Sequence, residues 1–190
     1  MKKGLLVFGI IAAIAVIFGF WFVGTGNSLV KQDEKVLQAY ADIETQLERR
    51  LALIPNLVNT AKGYAAHESA VFTEIANARA KLSGAIGSGD QAAVQAANNE
   101  LEGALSRLLM IVENYPDLKA DKMFIGLMDE LAGTENRINQ ARQSYNNYVG
   151  DFNGRIRTWP TSWVAGSRGL EKHELFKASE NAKTVPEVNF

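Results

Sequence analysis

The sequence predicts an all-α protein: an N-terminal transmembrane helix followed by an elongated up-and-down helical bundle of three long or four helices. Three observations lead there. Residues 4–24, GLLVFGIIAAIAVIFGFWFVG, carry no charge. From Val36 to Ile156 apolar residues recur at steps of three and four, and no stretch keeps the two-residue alternation of a strand. Only four prolines, Pro55, Pro116, Pro160 and Pro186, interrupt 190 residues, which leaves room for long helices.

Twenty-one uncharged residues in a helix rise about 31 Å, which matches a hydrocarbon core of about 30 Å. A helix satisfies its own backbone in lipid, so the segment is expected to span. A cleaved signal peptide has an apolar region of about 7–15 residues and small residues at its cleavage site. Phe18, Phe20, Trp21 and Phe22 stand where those small residues belong, so the segment reads as a retained anchor. Trp21 suits an interfacial position. Lys2 and Lys3 precede the run, whereas Lys31, Asp33, Glu34 and Lys35 beyond it balance. The positive-inside rule then puts the amino terminus in the cytoplasm and the body outside it, on the cell (inner) membrane as a single-pass protein. Ala15 and Gly19 make a small-xxx-small pair, a feature of any Ala/Gly-rich anchor that carries little weight.

The first bundle segment shows its stripe at Val36, Leu37, Tyr40, Ile43, Leu47, Leu51 and Ile54. The step continues past Pro55 through Leu57, Ala61, Ala65, Phe72, Ile75, Ala78 and Leu82 to glycines at 84, 87 and 89. Pro55 decides the helix count. A hairpin there gives four helices over 28–54, 55–84, 91–115 and 121–157. Bundle connections need about 2–8 residues, however, and none are free beside Pro55. One kinked helix over residues 30–84 is the better local reading. Asp90 is a candidate N-cap for the next helix, whose stripe runs Val94, Ala97, Leu101, Ala104, Leu108 and Val112. Tyr115-Pro116-Asp117 breaks it, because a residue before proline avoids the helical region. Asp121 can cap the last long helix, with Phe124, Leu127, Leu131, Ile138, Tyr145, Val149, Phe152 and Ile156 inward. The domains are therefore 1–27, the anchor; 28–157, the bundle; and 158–190, a tail that is docked in part or mobile. Trp159 and Trp163 in that tail either touch lipid or cover the end of the bundle.

Several motifs carry a resemblance. Gln46 to Glu68 (QLERRLALIPNLVNTAKGYAAHE), Glu113 to Ala120 (ENYPDLKA) and Glu130 to Ile138 (ELAGTENRI) are similar to the signature blocks of the LemA family of bacterial membrane proteins. Ala141-Arg142, Tyr145-Asn146, Asn153, Ile156-Arg157 and the closing Pro186-Glu187-Val188-Asn189-Phe190 also fit, while Ala41 and Ala61 are smaller than expected. The resemblance implies a single-pass, amino-terminally anchored protein with a four-helix up-and-down bundle. It also implies company with membrane proteases and stress-response systems, and kinship with a magnetosome membrane protein. It carries no catalytic residue.

Composition and motifs argue against chemistry. A net charge of −1 and a pI near 6.2 give no field for nucleic acid. Absent cysteines exclude a disulfide framework, a thiolate nucleophile and a lipoprotein route. His67-Glu68 lacks the second histidine of H-E-x-x-H, since position 71 is Val71. A di-iron bundle needs two E-x-x-H pairs, but Tyr64 and Leu170 precede His67 and His173 at that spacing. No G-x-S-x-G elbow occurs, and the glycines at 84–89 lack the lysine of a phosphate loop. No enzyme activity, cofactor, metal or catalytic residue is expected. Arg49, Arg50, Asn56, Lys62, His67, Glu68, Glu113, Asn114, Glu135, Asn136 and Arg137 either make internal contacts that fix register or form a lateral face between subunits. The expectation is a non-enzymatic scaffold that self-associates as a homo-oligomer at the extracytoplasmic surface, with the bilayer as partner through residues 4–24. The alternative is an adaptor for a membrane protease or another envelope stress-response protein.

Overall fold

A computed structural model describes residues 2–177. Six helices and, among the described residues, no strand make up the chain: α1 (Lys2–Tyr64), α2 (Ser69–Ser88), α3 (Gln91–Val112), α4 (Pro116–Lys119), α5 (Lys122–Arg157) and α6 (Thr161–Ser167). The expected all-α fold, a long apolar N-terminal helix followed by a helical bundle, is what forms. Four helices are long, but their division corrects both readings of the segment around Pro55.

Pro55 lies inside α1, which runs unbroken to Tyr64. Its ring nitrogen has no hydrogen to give the Leu51 carbonyl four residues earlier. That carbonyl accepts instead from Arg79 Nε of α2 at 3.1 Å. Ile54 and Leu57 on either side are buried, so packing also keeps the helix continuous across the defect. The hairpin at Pro55 is therefore wrong. So is one helix over 30–84, because the chain turns at Ala65–Glu68, where Glu68 N donates to Ala65 O at 3.0 Å. Nothing in Ala65-Ala66-His67-Glu68 is a strong breaker. Ala65 is buried, and the Glu68 side chain accepts from Tyr115 Oη at 3.1 Å, so tertiary contacts stop α1 there.

The other ends follow the sequence closely. Gly89 closes α2 at φ +69°, where an L side chain is strained. Gly84 and Gly87 are ordinary helix residues before it. Asp90 caps α3 by accepting from the backbone N–H of Ala92 and Ala93 at 2.9 and 3.1 Å. Helix α3 ends at Val112, three residues before the expected 115, and Pro116 then opens the single turn α4 around buried Leu118. Asp121 caps α5 through Phe124 N at 2.9 Å.

The described chain forms two compact units, residues 2–40 with Gln143–Leu175, and Ala41–Arg142 with Phe176 and Lys177. In the first, Leu29, Val36, Ala39, Tyr145, Val149, Phe152 and Val164 are buried. In the second, Ile43, Leu47, Ile54, Leu57, Ile75, Leu82, Leu101, Leu108, Leu118 and Ile138 make the core. Residues 168–175 pack along the first unit: Asn153 brackets the His173 backbone at 2.8 and 3.0 Å, and His173 Nε2 meets Asp33 Oδ1 at 2.6 Å. The rest of the expected tail, Pro186–Phe190 among it, lies outside the described residues.

Candidate functional site

The second unit holds a charged group where a hydrophobic residue would be expected. On α1, Arg50 sits on the stripe between Leu47 and Ile54; on α3, Asn98 sits between Val94 and Leu101; on α5, Glu135 sits between Leu131 and Ile138. Arg50 and Asn98 occupy inward-facing steps of their helices, and Glu135, partly exposed, lies beside the buried step at Thr134. Arg50 and Asn98 are 5 % and 0 % exposed. The Arg50 guanidinium donates through Nη1 to Glu135 Oε2 at 2.7 Å, Asn98 Oδ1 at 3.1 Å and Glu102 Oε1 at 3.4 Å. Asn98 Nδ2 donates to the same Glu102 oxygen at 2.5 Å, and Asn139 Nδ2 braces Glu135 at 3.1 Å. The Arg50 Nε is buried and has no hydrogen-bond partner. One cation thus ties α1, α3 and α5 together. Such a group fixes register, because sliding any helix strands a buried charge.

Beside this cluster lies a pocket of about 350 Å³ whose apolar walls include Leu105, Leu109, Met128 and Leu131, and whose polar floor is Arg50, Glu102 and Glu135. Leu109, Met110, Met123 and Ile125 are exposed at the end of α3 and the start of α5.

The signature polar residues divide. Arg50 and Glu135 enter the cluster. Arg49 pairs with Glu130, which Arg137 approaches at 3.8 Å. Glu113 meets Lys119 at 2.6 Å, Lys62 lies 5.7 Å over the Phe72 ring, and Glu68 holds Tyr115. Asn56, His67, Asn114 and Asn136 are exposed. Sequence reasoning missed Asn98, Glu102 and Arg79. A polar residue on the apolar step of α3 was the available signal for Asn98.

Among the described residues four groups titrate away from their ordinary values. The Asp121 carboxyl is held low, first by the Phe124 N–H and then by the Tyr64 hydroxyl, which donates to Oδ2 at 2.7 Å. The same bond raises the Tyr64 phenol, and the bond to Glu68 raises Tyr115. Burial, followed by the charge of Glu48, raises Glu44. Among the described residues no group of three or more His, Asp or Glu side chains is disposed to hold a metal ion.

The first unit carries a different feature, an aromatic collar at the end of the apolar segment. The side chains of residues 4–20 are exposed, with Leu5 at 78 % and Phe20 at 78 %. Near its end Phe18 lies 5.5 Å from Trp21, and the Trp163 ring lies 5.8 Å from Phe18 and 5.4 Å from Phe22. Val164 and Ala165 of α6 close on Leu29, with Trp21, Phe22, Ile156 and Leu170 packed around them. An apolar helix bare to its surroundings is stable only in lipid, and this one is long enough to cross it.

The chain is similar to known proteins. Protein LemA of Metamycoplasma hominis is 29 % identical over 164 residues, covering 86 % of this chain and 74 % of its own length. Magnetosome protein MamQ 2 of Paramagnetospirillum magneticum is 27 % identical over 176 residues, and Magnetosome protein MamQ of Magnetospirillum gryphiswaldense 28 % over 173. This chain spans 64 % of the length of each of those two. The sequence profile of the LemA family matches residues 39–190, the region that includes the Arg50 cluster. With its apolar N-terminal helix and all-helical body, the chain is a membrane-associated member of the LemA family.

Proposed function

We propose that this protein is a non-enzymatic scaffold, anchored by residues 4–24 in the cell (inner) membrane, with its bundle outside the cytoplasm and its copies associated side by side. The carrying observation is that the exposed apolar segment and the packed residues Leu29 and Val36 are turns of one helix, with no linker between them. A body held that close to the bilayer meets its neighbours in two dimensions, where weak lateral contacts act at high effective concentration. The exposed Leu109, Met110, Met123 and Ile125 are apolar surface suited to such contacts. Membership of the LemA family and likeness to proteins named for the magnetosome support a role at the membrane.

The pocket over Arg50, Glu102 and Glu135 favours a second reading. Its apolar walls and charged floor suit a helix or peptide of a membrane protease or another envelope protein, which makes the chain an adaptor. Native mass measurement and electron microscopy of the full-length protein extracted in mild detergent separate the two. Multimers of this chain alone support the scaffold. A homogeneous monomer removes it, and one stoichiometric partner favours the adaptor.

A further inference from the structure

Helix α6 has two apolar faces, and only one is covered. Val164 and Ala165, 0 % and 2 % exposed, seal it onto Leu29. Trp163 stays 59 % exposed even with its ring against Phe18 and Phe22, and Trp159 just before α6 is 86 % exposed. From Thr158 to Ser167 there is no charge.

The position of Trp163 along α1 matters more than its exposure. Phe18 precedes the end of the apolar segment at Gly24 by six residues, a rise of about 9 Å. A ring in contact with Phe18 therefore sits at hydrocarbon depth whenever residues 4–24 span. Val164 and Ala165, buried on Leu29, hold the α6 backbone against α1 at this level.

The residue that follows α6 matches the next layer outward. Gly26 is buried beneath the Arg168 guanidinium, whose Cζ lies 2.6 Å from where a Cβ would stand. Arg168 Nη2 donates to Asn27 Oδ1 at 3.4 Å. Its charge thus stands two residues beyond the apolar run, at the level of lipid phosphates, while Trp163 lies further in. Indole inside and guanidinium outside is the order in which an interface accepts these groups.

We infer that α6 is a second membrane element, with Trp159 and Trp163 seated in the acyl–headgroup boundary of the leaflet at the anchor's C-terminal end. Trp163 touches Phe18 and Phe22 of the anchor while remaining largely exposed, so the apolar surface of the anchor extends onto α6 through that ring. The inference rests on the anchor reading and deepens it. Besides crossing the bilayer, the protein adds a seven-residue wedge to one leaflet only, an asymmetry a membrane-shaping scaffold needs.

Full-length protein with a single tryptophan tests it. Trp21→Phe/Trp159→Phe leaves Trp163, Trp21→Phe/Trp163→Phe leaves Trp159, and Trp159→Phe/Trp163→Phe leaves Trp21 as reporter of the anchor. Each is reconstituted into phosphatidylcholine–phosphatidylglycerol vesicles with and without phosphatidylcholine brominated near the headgroup end of its acyl chain. The expected result is emission quenched about twofold or more at Trp159 and Trp163 as well as Trp21, with little quenching by aqueous iodide. Quenching of Trp21 alone, with Trp159 and Trp163 open to iodide, overturns the α6 inference and leaves the anchor standing. No bromolipid quenching at any position overturns both. Protection of Trp159 and Trp163 that depends on protein density and not on bromolipid places a second copy on this face and overturns the lipid assignment.

Discussion

Arg50→Ala removes the cation that ties α1, α3 and α5. The Arg50 side chain is 7 % exposed, whereas those of Glu102 and Glu135 are 33 % and 31 % exposed. The two carboxylates can partly rehydrate, so the full cost of breaking a buried pair, about 3–5 kcal/mol, is an upper bound. Asn98, with no exposure, keeps Glu102 as a partner but loses one bond, and the long aliphatic stem leaves a cavity. The expected loss is about 3 kcal/mol, or about 6–12 °C in Tm for a chain of this size. Glu135→Ala leaves Arg50 with Asn98 and Glu102, so about 1–2 kcal/mol is expected. Arg50→Met, which refills the space without a charge, is expected to cost less than Arg50→Ala. Thermal unfolding of the full-length protein in detergent, followed by far-UV circular dichroism, reads all three. Because both variants remove one shared interaction, Arg50→Ala/Glu135→Ala should cost less than the sum of its parts. An unchanged Tm for Arg50→Ala, or strict additivity in the double variant, refutes the account of the cluster.

Other expectations follow from single contacts. Arg79→Ala strands the Leu51 carbonyl and should cost about 1 kcal/mol, while in a Pro55→Ala background, which restores the missing amide hydrogen, the same change should be nearly neutral. Equal costs in both backgrounds would show that Arg79 does not serve that carbonyl. Asp90→Ala removes the α3 cap and should lower stability by about 1 kcal/mol, measured by the same melts. The folded-state pKa of Asp121 lies below its ordinary value, so its stabilisation is complete above that value and is lost as pH falls through the depressed one. Asp121→Asn should therefore lower stability at neutral pH, with the difference from the parent shrinking as pH falls below about 4. A difference that stays constant with pH would contradict it.

The helices were legible where local chemistry writes their ends. Asp90, Asp121, Gly89 and Pro116 each act within a few residues of their position, through a cap, a positive φ or a lost N–H. The break at Ala65–Glu68 was not legible, because alanines and a glutamate carry no breaker and the turn depends on Tyr115, 47 residues away. Pro55 misled for the converse reason. Its local rule is sound, but Arg79, 28 residues beyond Leu51, supplies the donor the proline lacks. For the polar cluster, Arg50 and Glu135 stood out as charges, but their joint role needs three helices in register. Trp159 and Trp163 were visible as apolar surface, and only the contact of Trp163 with Phe18 and Phe22 gives it a depth.

The central claim is that the apolar segment holds a helical body at the outer face of a membrane. The natively cysteine-free chain permits a direct measurement with Ala12→Cys in the apolar segment and Ser144→Cys on exposed α5. A membrane-impermeant maleimide added to intact cells should label Ser144→Cys and leave Ala12→Cys unlabelled until the membrane is dissolved. Equal labelling at both positions, or recovery of the chain in the soluble fraction, would contradict it.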